Sequence, residues 1–125
     1  MKRRLMIVDD SNIIRSMISR TLSQHDLEIV ATAGNGEEAV RRFMEDQPDV
    51  VTMDLTMPRM DGIQCIRKLK AMNPRVRVLV VSALADKATA IQALKEGAQG
   101  FLCKPFSESD LSDAITELLE EDHHG

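Results

Sequence analysis

Three aspartates, a serine and a lysine each stand just beyond a short apolar run. Asp9-Asp10 follow Leu5 to Val8, Asp54 follows Val50 to Met53, Ser82 follows Val76 to Val81, and Lys104-Pro105 follow Phe101 to Cys103. Three carboxylates held together repel, and each raises the pKa of the others unless a cation sits among them. No Cys or His accompanies them, so an oxygen-only donor set suits a hard ion such as Mg²⁺ better than Zn²⁺ or copper. A carboxylate beside such an ion and a lysine can act as nucleophile on a phosphoryl donor and form an aspartyl-phosphate. The cation and the ammonium then neutralise the oxygens of the transferring group, and a serine hydroxyl can hydrogen-bond one of them. Taken singly, each feature is ordinary: Asp-Asp caps helices and turns, a lone Asp is solvated, and Lys-Pro is surface. Their coincidence at corresponding ends of different strands is what points to a phosphoryl site.

The elements that must position these residues alternate along the chain. Apolar or β-branched runs at Leu5 to Val8, Glu28 to Ala33, Val50 to Met53, Val76 to Val81 and Phe101 to Cys103 are separated by longer segments of helical periodicity. This is the pattern of βαβ units around a parallel sheet. In the first helical segment Ile13, Ile14, Met17, Ile18 and Leu22 form an apolar face, opposite Arg15, Ser19 and Arg20. Gly34-Asn35-Gly36 turns the chain, Pro48 and Asn73-Pro74 stop helices, and Gly97 suits a left-handed helix end. Ser107 with Asp110 reads as a capping box for a last helix through Leu111, Ile115, Leu118 and Leu119. The expectation is an α/β fold: a doubly wound, five-stranded parallel sheet with five helices, connected by right-handed crossovers. Sites in such sheets form beyond the carboxyl ends of the strands, where these residues lie.

Length and composition narrow the function. The 125 residues suit one domain spanning 1–125, with no repeat or linker. A net charge of -4 argues against a nucleic-acid binder, and Lys2-Arg3-Arg4 reads as a solvated lead-in to the first strand. Neither a signal-peptide core nor an apolar stretch long enough to cross a bilayer is present, so a cytoplasmic location without membrane insertion is expected. Cys65 and Cys103 have no metal-ligand spacing and are expected as free thiols, and His123-His124 as a frayed tail.

The segments Leu5-Met6-Ile7-Val8-Asp9-Asp10, Asp54-Leu55-Thr56-Met57-Pro58-Arg59-Met60-Asp61-Gly62, Val81-Ser82-Ala83 and Gly100-Phe101-Leu102-Cys103-Lys104-Pro105-Phe106 together resemble the receiver domains of response regulators in two-component signalling. The resemblance covers nearly the whole chain. It implies Asp54 as phosphoacceptor, Asp10 as direct Mg²⁺ ligand, Asp9 as ligand through water, and the Thr56 backbone carbonyl as a further ligand. Ser82 and Lys104 would contact phosphoryl oxygens, and the Lys104-Pro105 peptide would be cis. It also implies the flavodoxin-like (CheY-like) strand order 2-1-3-4-5, which periodicity alone does not determine.

The implied output is a switch. Phosphorylation draws Ser82 inward and changes the packing of Phe101, whose alternative role is that of a plain core residue. The responding face is made by the fourth helix, fifth strand and fifth helix, with Lys87, Gln92, Lys95 and Gln99 as exposed candidates. A sensor histidine kinase is the implied phosphodonor and a downstream protein the target, with the chain a monomer. Absence of an output domain and the wording around Asp54 and Ser82 look most like chemotaxis-type regulators. Leu84 has no polar group to position a hydrolytic water, which suggests slow self-dephosphorylation. Competing readings are a phosphate sink or phosphorylation-independent binding module, and a Mg²⁺-dependent phosphatase with an Asp nucleophile. The phosphatase would need an Asp-x-Asp motif after its first strand, where this chain has adjacent aspartates.

Overall fold

The computed structural model describes residues 2–57, 60–84 and 86–120. Pro58 and Arg59 of the Asp54 to Gly62 segment, and the His123-His124 pair, lie outside them. The order of elements is β1 (Arg3–Val8), α1 (Asn12–Leu22), β2 (Leu27–Ala33), α2 (Gly36–Asp46), β3 (Val50–Met53), α3 (Gly62–Met72), β4 (Arg77–Ser82), α4 (Lys87–Lys95), β5 (Gly100–Cys103) and α5 (Glu108–Glu120). All neighbouring strands pair in parallel, in the order β2-β1-β3-β4-β5.

Burial explains the strand sequences. The central strand β3 is covered on both faces, so Val50, Val51 and Met53 are apolar without alternation, whereas the edge strand β2 exposes Glu28 and Thr32. Two apolar clusters lie on opposite faces of the sheet. One gathers Met6, Val8, Val51, Met53, Val78 and Val80 with Ala39 and Phe43 of α2, Cys65, Ile66 and Leu69 of α3 and Ala93 of α4. The other gathers Leu5, Ile7, Val50, Leu79 and Val81 with Ile18 and Leu22 of α1 and Leu111, Ile115 and Leu118 of α5. Each fully buried aliphatic side chain contributes about 1.5–3 kcal/mol relative to exposure, which holds five helices to two faces.

Caps set the helix starts. The side chains of Ser11, Asn35, Asp61 and Asp86 each accept the N–H of the residue three positions on. Ser107 and Asp110 form the reciprocal capping box, with Ser107 N–H donating to Asp110 Oδ2 at 3.1 Å and Asp110 N–H to Ser107 Oγ at 3.0 Å. Gly97 has φ of 113° and closes α4 in the left-handed region.

Some sequence expectations are corrected. Ile13 does not belong to the packed face of α1: it is 80% exposed, because the buried stripe runs through Ile18, Thr21 and Leu22. Arg3 and Arg4 are part of β1 and not a solvated lead-in. The Arg4 backbone N–H donates to Asp49 Oδ2, and its guanidinium to the Asp46 carbonyl at the end of α2. Helix α2 is ended by Gln47 at φ 47°, one residue before Pro48.

Thr52 carries the same logic to a stability consequence. It is 1% exposed, and its hydroxyl has no hydrogen-bond partner among the described residues. A desolvated, unpaired hydroxyl costs about 1–3 kcal/mol. Thr52→Val, nearly isosteric, is therefore expected to raise the urea-unfolding free energy by about 1 kcal/mol or more. A loss of stability in this variant would show that the hydroxyl is hydrogen-bonded in solution.

Candidate functional site

Parallel pairing places the acids at one edge of the sheet. The ladder runs past the strand ends into the site: Asp9 N–H donates to the Ala33 carbonyl at 3.0 Å and Asp54 N–H to the Val8 carbonyl at 2.9 Å. Asp9 and Asp54 are buried while Asp10 is exposed. Each of the three offers one carboxylate oxygen, and these oxygens lie within 4.8 Å of one another. Ser82 is the last residue of β4 and fully buried, one position earlier than a residue following the strand. The Lys104-Pro105 peptide beyond β5 is cis.

Lys104 brings a cation to the carboxylates of this edge. Its Nζ donates to Asp9 Oδ2 at 2.7 Å and lies 3.7 Å from Asp54 Oδ2. The resemblance implies a phosphoryl oxygen as its partner; in this structure its partner is Asp9. Its own N–H donates to the Ser82 carbonyl at 2.9 Å, so β4 and β5 aim it. Asp54 Oδ1 accepts weakly from the Thr56 N–H at 3.3 Å and hydroxyl at 3.4 Å. Burial, then the neighbouring Asp9 charge, pushes the Asp54 carboxyl up from 3.8 to about 6, although Lys104 and the Thr56 N–H pull it down. Asp54 is thus ionised at neutral pH and poorly solvated, the condition of a usable nucleophile.

The backbone of the Asp54 loop is pinned from behind. Gly62 N–H donates to the Leu55 carbonyl at 3.0 Å, and a Cβ at Gly62 would lie 2.4 Å from the Asp54 carbonyl oxygen. Only glycine permits this approach. An open cleft of about 580 Å³ adjoins the acids, lined by Asp10, Thr56, Met57, Ile63, Leu84, Gln92 and neighbouring side chains. Three carboxylates and no softer donor fit a hard divalent cation, and Thr56 borders the same cleft as Asp10.

The switch candidates divide. Ser82 is already inward, with Oγ accepting the Leu84 N–H at 3.0 Å. Phe101 is half-buried against the α2–α3–α4 cluster and also borders a surface recess with Gln99, Ala114 and Glu117. Gln99 is not a free surface residue, since its Oε1 accepts the Val78 N–H at 2.9 Å. Gln92 borders the acidic cleft. Lys87 and Lys95 are exposed, together with Ile91 and Leu94, two apolar residues that the sequence reading passed over. Their spacing on α4, three apart between two lysines, is the signal that finds them. Cys65 is buried, which pushes its thiol up to about 12, whereas Cys103 is exposed.

A family model, the response regulator receiver domain, matches residues 5–116, and the chain belongs to that family. Within it, the likeness is to chemotaxis-type signalling proteins. The chemotaxis protein CheY of Listeria monocytogenes is 40% identical over 117 residues, spanning 94% of this chain and 95% of its own. That of Bacillus subtilis is 40% identical over 119 residues, spanning 95% and 99%. Among solved structures, the CheX-CheY-BeF₃-Mg²⁺ complex of Borrelia burgdorferi aligns with a TM-score of 0.90 at 30% identity, covering 94% of this chain and 89% of that one. Among the described residues no helix is long and apolar enough to cross a membrane.

The raised Asp54 value has a sign that can be tested. A carboxylate with folded pKa of about 6 against an ordinary 3.8 favours the fold below 3.8 and loses that advantage as pH rises through 6. Without metal, Asp54→Asn is expected to be more stable than wild type at pH 7, by an amount on the order of 2–3 kcal/mol. The difference should shrink toward pH 4. Urea unfolding in chelator across this range measures it, and a gap that is negative or independent of pH removes the proposed penalty of burial and repulsion on the charged Asp54 carboxylate.

Proposed function

We propose that this chain is a phosphorylation switch that accepts a phosphoryl group on Asp54 from a sensor histidine kinase in a Mg²⁺-dependent reaction. The observation that carries this reading is the buried Asp54 carboxylate with Lys104 at 3.7 Å and two further aspartates in reach. An Asp54 oxygen attacks phosphorus, the bond from phosphorus to the donor nitrogen breaks, and that nitrogen leaves with the electron pair. Asp10 and Asp54 would hold the cation directly, Asp9 through water, with the Thr56 carbonyl completing the protein's share. Bound Mg²⁺ supplies charge neutralisation for the oxygens of the transferring group. Lys104 then exchanges its bond with Asp9 for one to a phosphoryl oxygen, and the Ser82 hydroxyl donates to another.

Output follows from the loss of those resting contacts. When Ser82 turns to the phosphoryl group, its bond to the Leu84 N–H is given up, and the segment leading into α4 repacks with Phe101. The face of α4, β5 and α5, carrying Lys87, Ile91, Leu94 and Lys95, then engages a downstream protein. The chain acts as one cytoplasmic, monomeric domain over 1–125, within a chemotaxis-type pathway. Leu84 borders the cleft without a polar group, so self-hydrolysis is slow. A complete acidic cluster favours this over a phosphorylation-independent binding module.

Incubation with a small phosphoramidate donor and Mg²⁺ is expected to add one phosphoryl group per chain, read by intact mass. Asp54→Asn should abolish the addition, and Asp10→Ala should lower its rate at least tenfold at limiting Mg²⁺. Mass gain that persists in Asp54→Asn, or in excess chelator, overturns the assignment.

A further inference from the structure

The turn that carries the acidic pair is held by a residue that neither touches Asp54 nor belongs to the carboxylate cluster. Arg15, one turn into α1, sends Nη1 to the main-chain carbonyl of Asp9 at 2.5 Å and Nη2 to the Asn12 side-chain oxygen. The guanidinium lies against Gly34 at the end of β2, where a Cβ would come within 3.3 Å of Nη1. The β1–α1 turn is therefore fixed at three points. Asp9 Oδ1 accepts the Ser11 N–H at 2.9 Å, Asp9 Oδ2 accepts from Lys104, and the Asp9 carbonyl accepts from Arg15.

Asp10 is different. Its carboxylate is exposed and has no hydrogen-bond partner or ion pair among the described residues, so its direction is set by the peptide planes on either side of it. The plane that precedes it contains the Asp9 carbonyl. Holding that oxygen holds the rotation of the Asp9-Asp10 peptide, and so the direction in which Asp10 leaves the backbone. An arginine fork suits this task because it grips two acceptors in one plane, which an ammonium cannot do.

We propose that Arg15 is a positioning residue for the cation site: through the Asp9 carbonyl it orients Asp10 toward Asp54. This rests on the reading of the acids as a Mg²⁺ site. Positioning and simple electrostatics predict opposite signs. Removing a positive charge from beside an acidic cluster would by Coulomb attraction strengthen divalent-cation binding. Releasing the carbonyl weakens it, as loss of residues supporting metal ligands does, by about 10-fold or more.

The test is a Mg²⁺ titration of the full chain followed by backbone amide shifts, with the phosphorylation rate measured across the same Mg²⁺ range. Arg15→Ala is expected to raise the Mg²⁺ dissociation constant about tenfold while leaving the rate at saturating Mg²⁺ within about twofold of wild type. Arg15→Lys, which keeps the charge and one bond, should fall between the two. If Arg15→Ala binds Mg²⁺ as tightly as wild type or more tightly, the proposal is wrong. Should Arg15→Ala not fold, wild-type affinity in Arg15→Lys overturns it equally. Asp10→Ala separates the two levels: Mg²⁺ affinity unchanged in that variant rejects the metal site itself, whereas affinity lost there but kept in Arg15→Ala rejects only the role of Arg15.

Discussion

Repulsion among Asp9, Asp10 and Asp54 is the constraint around which the carboxyl edge of the sheet is organised. Two of these carboxylates are buried, where a charge is costly unless opposed. Opposition comes from Lys104, at bonding distance from Asp9 and just beyond it from Asp54. It is incomplete: burial, and after it the Asp9 charge, leave the Asp54 carboxyl raised to about 6. A fold that tolerates such a cluster must gain its stability elsewhere, which the two apolar layers on either face of the sheet provide.

Geometry makes the repulsion unavoidable. In a parallel sheet every strand ends on the same side, so residues following β1 and β3 are neighbours whatever their sequence separation. Asp54 N–H bonded to the Val8 carbonyl is the last rung of that pairing. Gly62 closes the opposite side by bringing α3 against the Asp54 carbonyl, and Lys104 arrives on β5 through its bond to Ser82. Asp9 and Asp54 are therefore located by main chain, while their charge is opposed by Lys104, a side chain that can exchange partners.

Main-chain location is also why much of the site was legible in the sequence. Five apolar runs, four of them followed by a polar or charged residue, announce both the alternation of elements and the edge at which chemistry would gather. Strand order came only with the family resemblance, because periodicity carries no information about which strands adjoin. Long-range partners were illegible. The Arg4 contacts to Asp46 and Asp49, the Gln99 bond to Val78 and the Lys104 bond to Asp9 join residues whose meeting depends on the finished topology. Ile13 was misassigned because five apolar residues on α1 exceed what one face can bury, and propensity does not say which is left out. Arg15 was placed on the solvent side of the same helix, where helical spacing indeed puts its Cα. The length of its side chain returns the guanidinium to the turn below.

The ladder that continues into Asp9 and Asp54 bears on how a phosphoryl mark would be stored under the proposed function. These amides lie within the sheet's own bonding, so a phosphoryl group added under the proposed function would meet acids already located by main chain. What phosphorylation would change under the proposed function is one acyl-phosphate bond, the partners of Lys104 and Ser82, and the packing of the segment leading into α4. Under the proposed function, information would be written on a sheet edge that need not itself be rewritten, and hydrolysis would restore the resting contacts without refolding. A device of that kind would be reset without rebuilding, its memory lasting as long as one covalent bond.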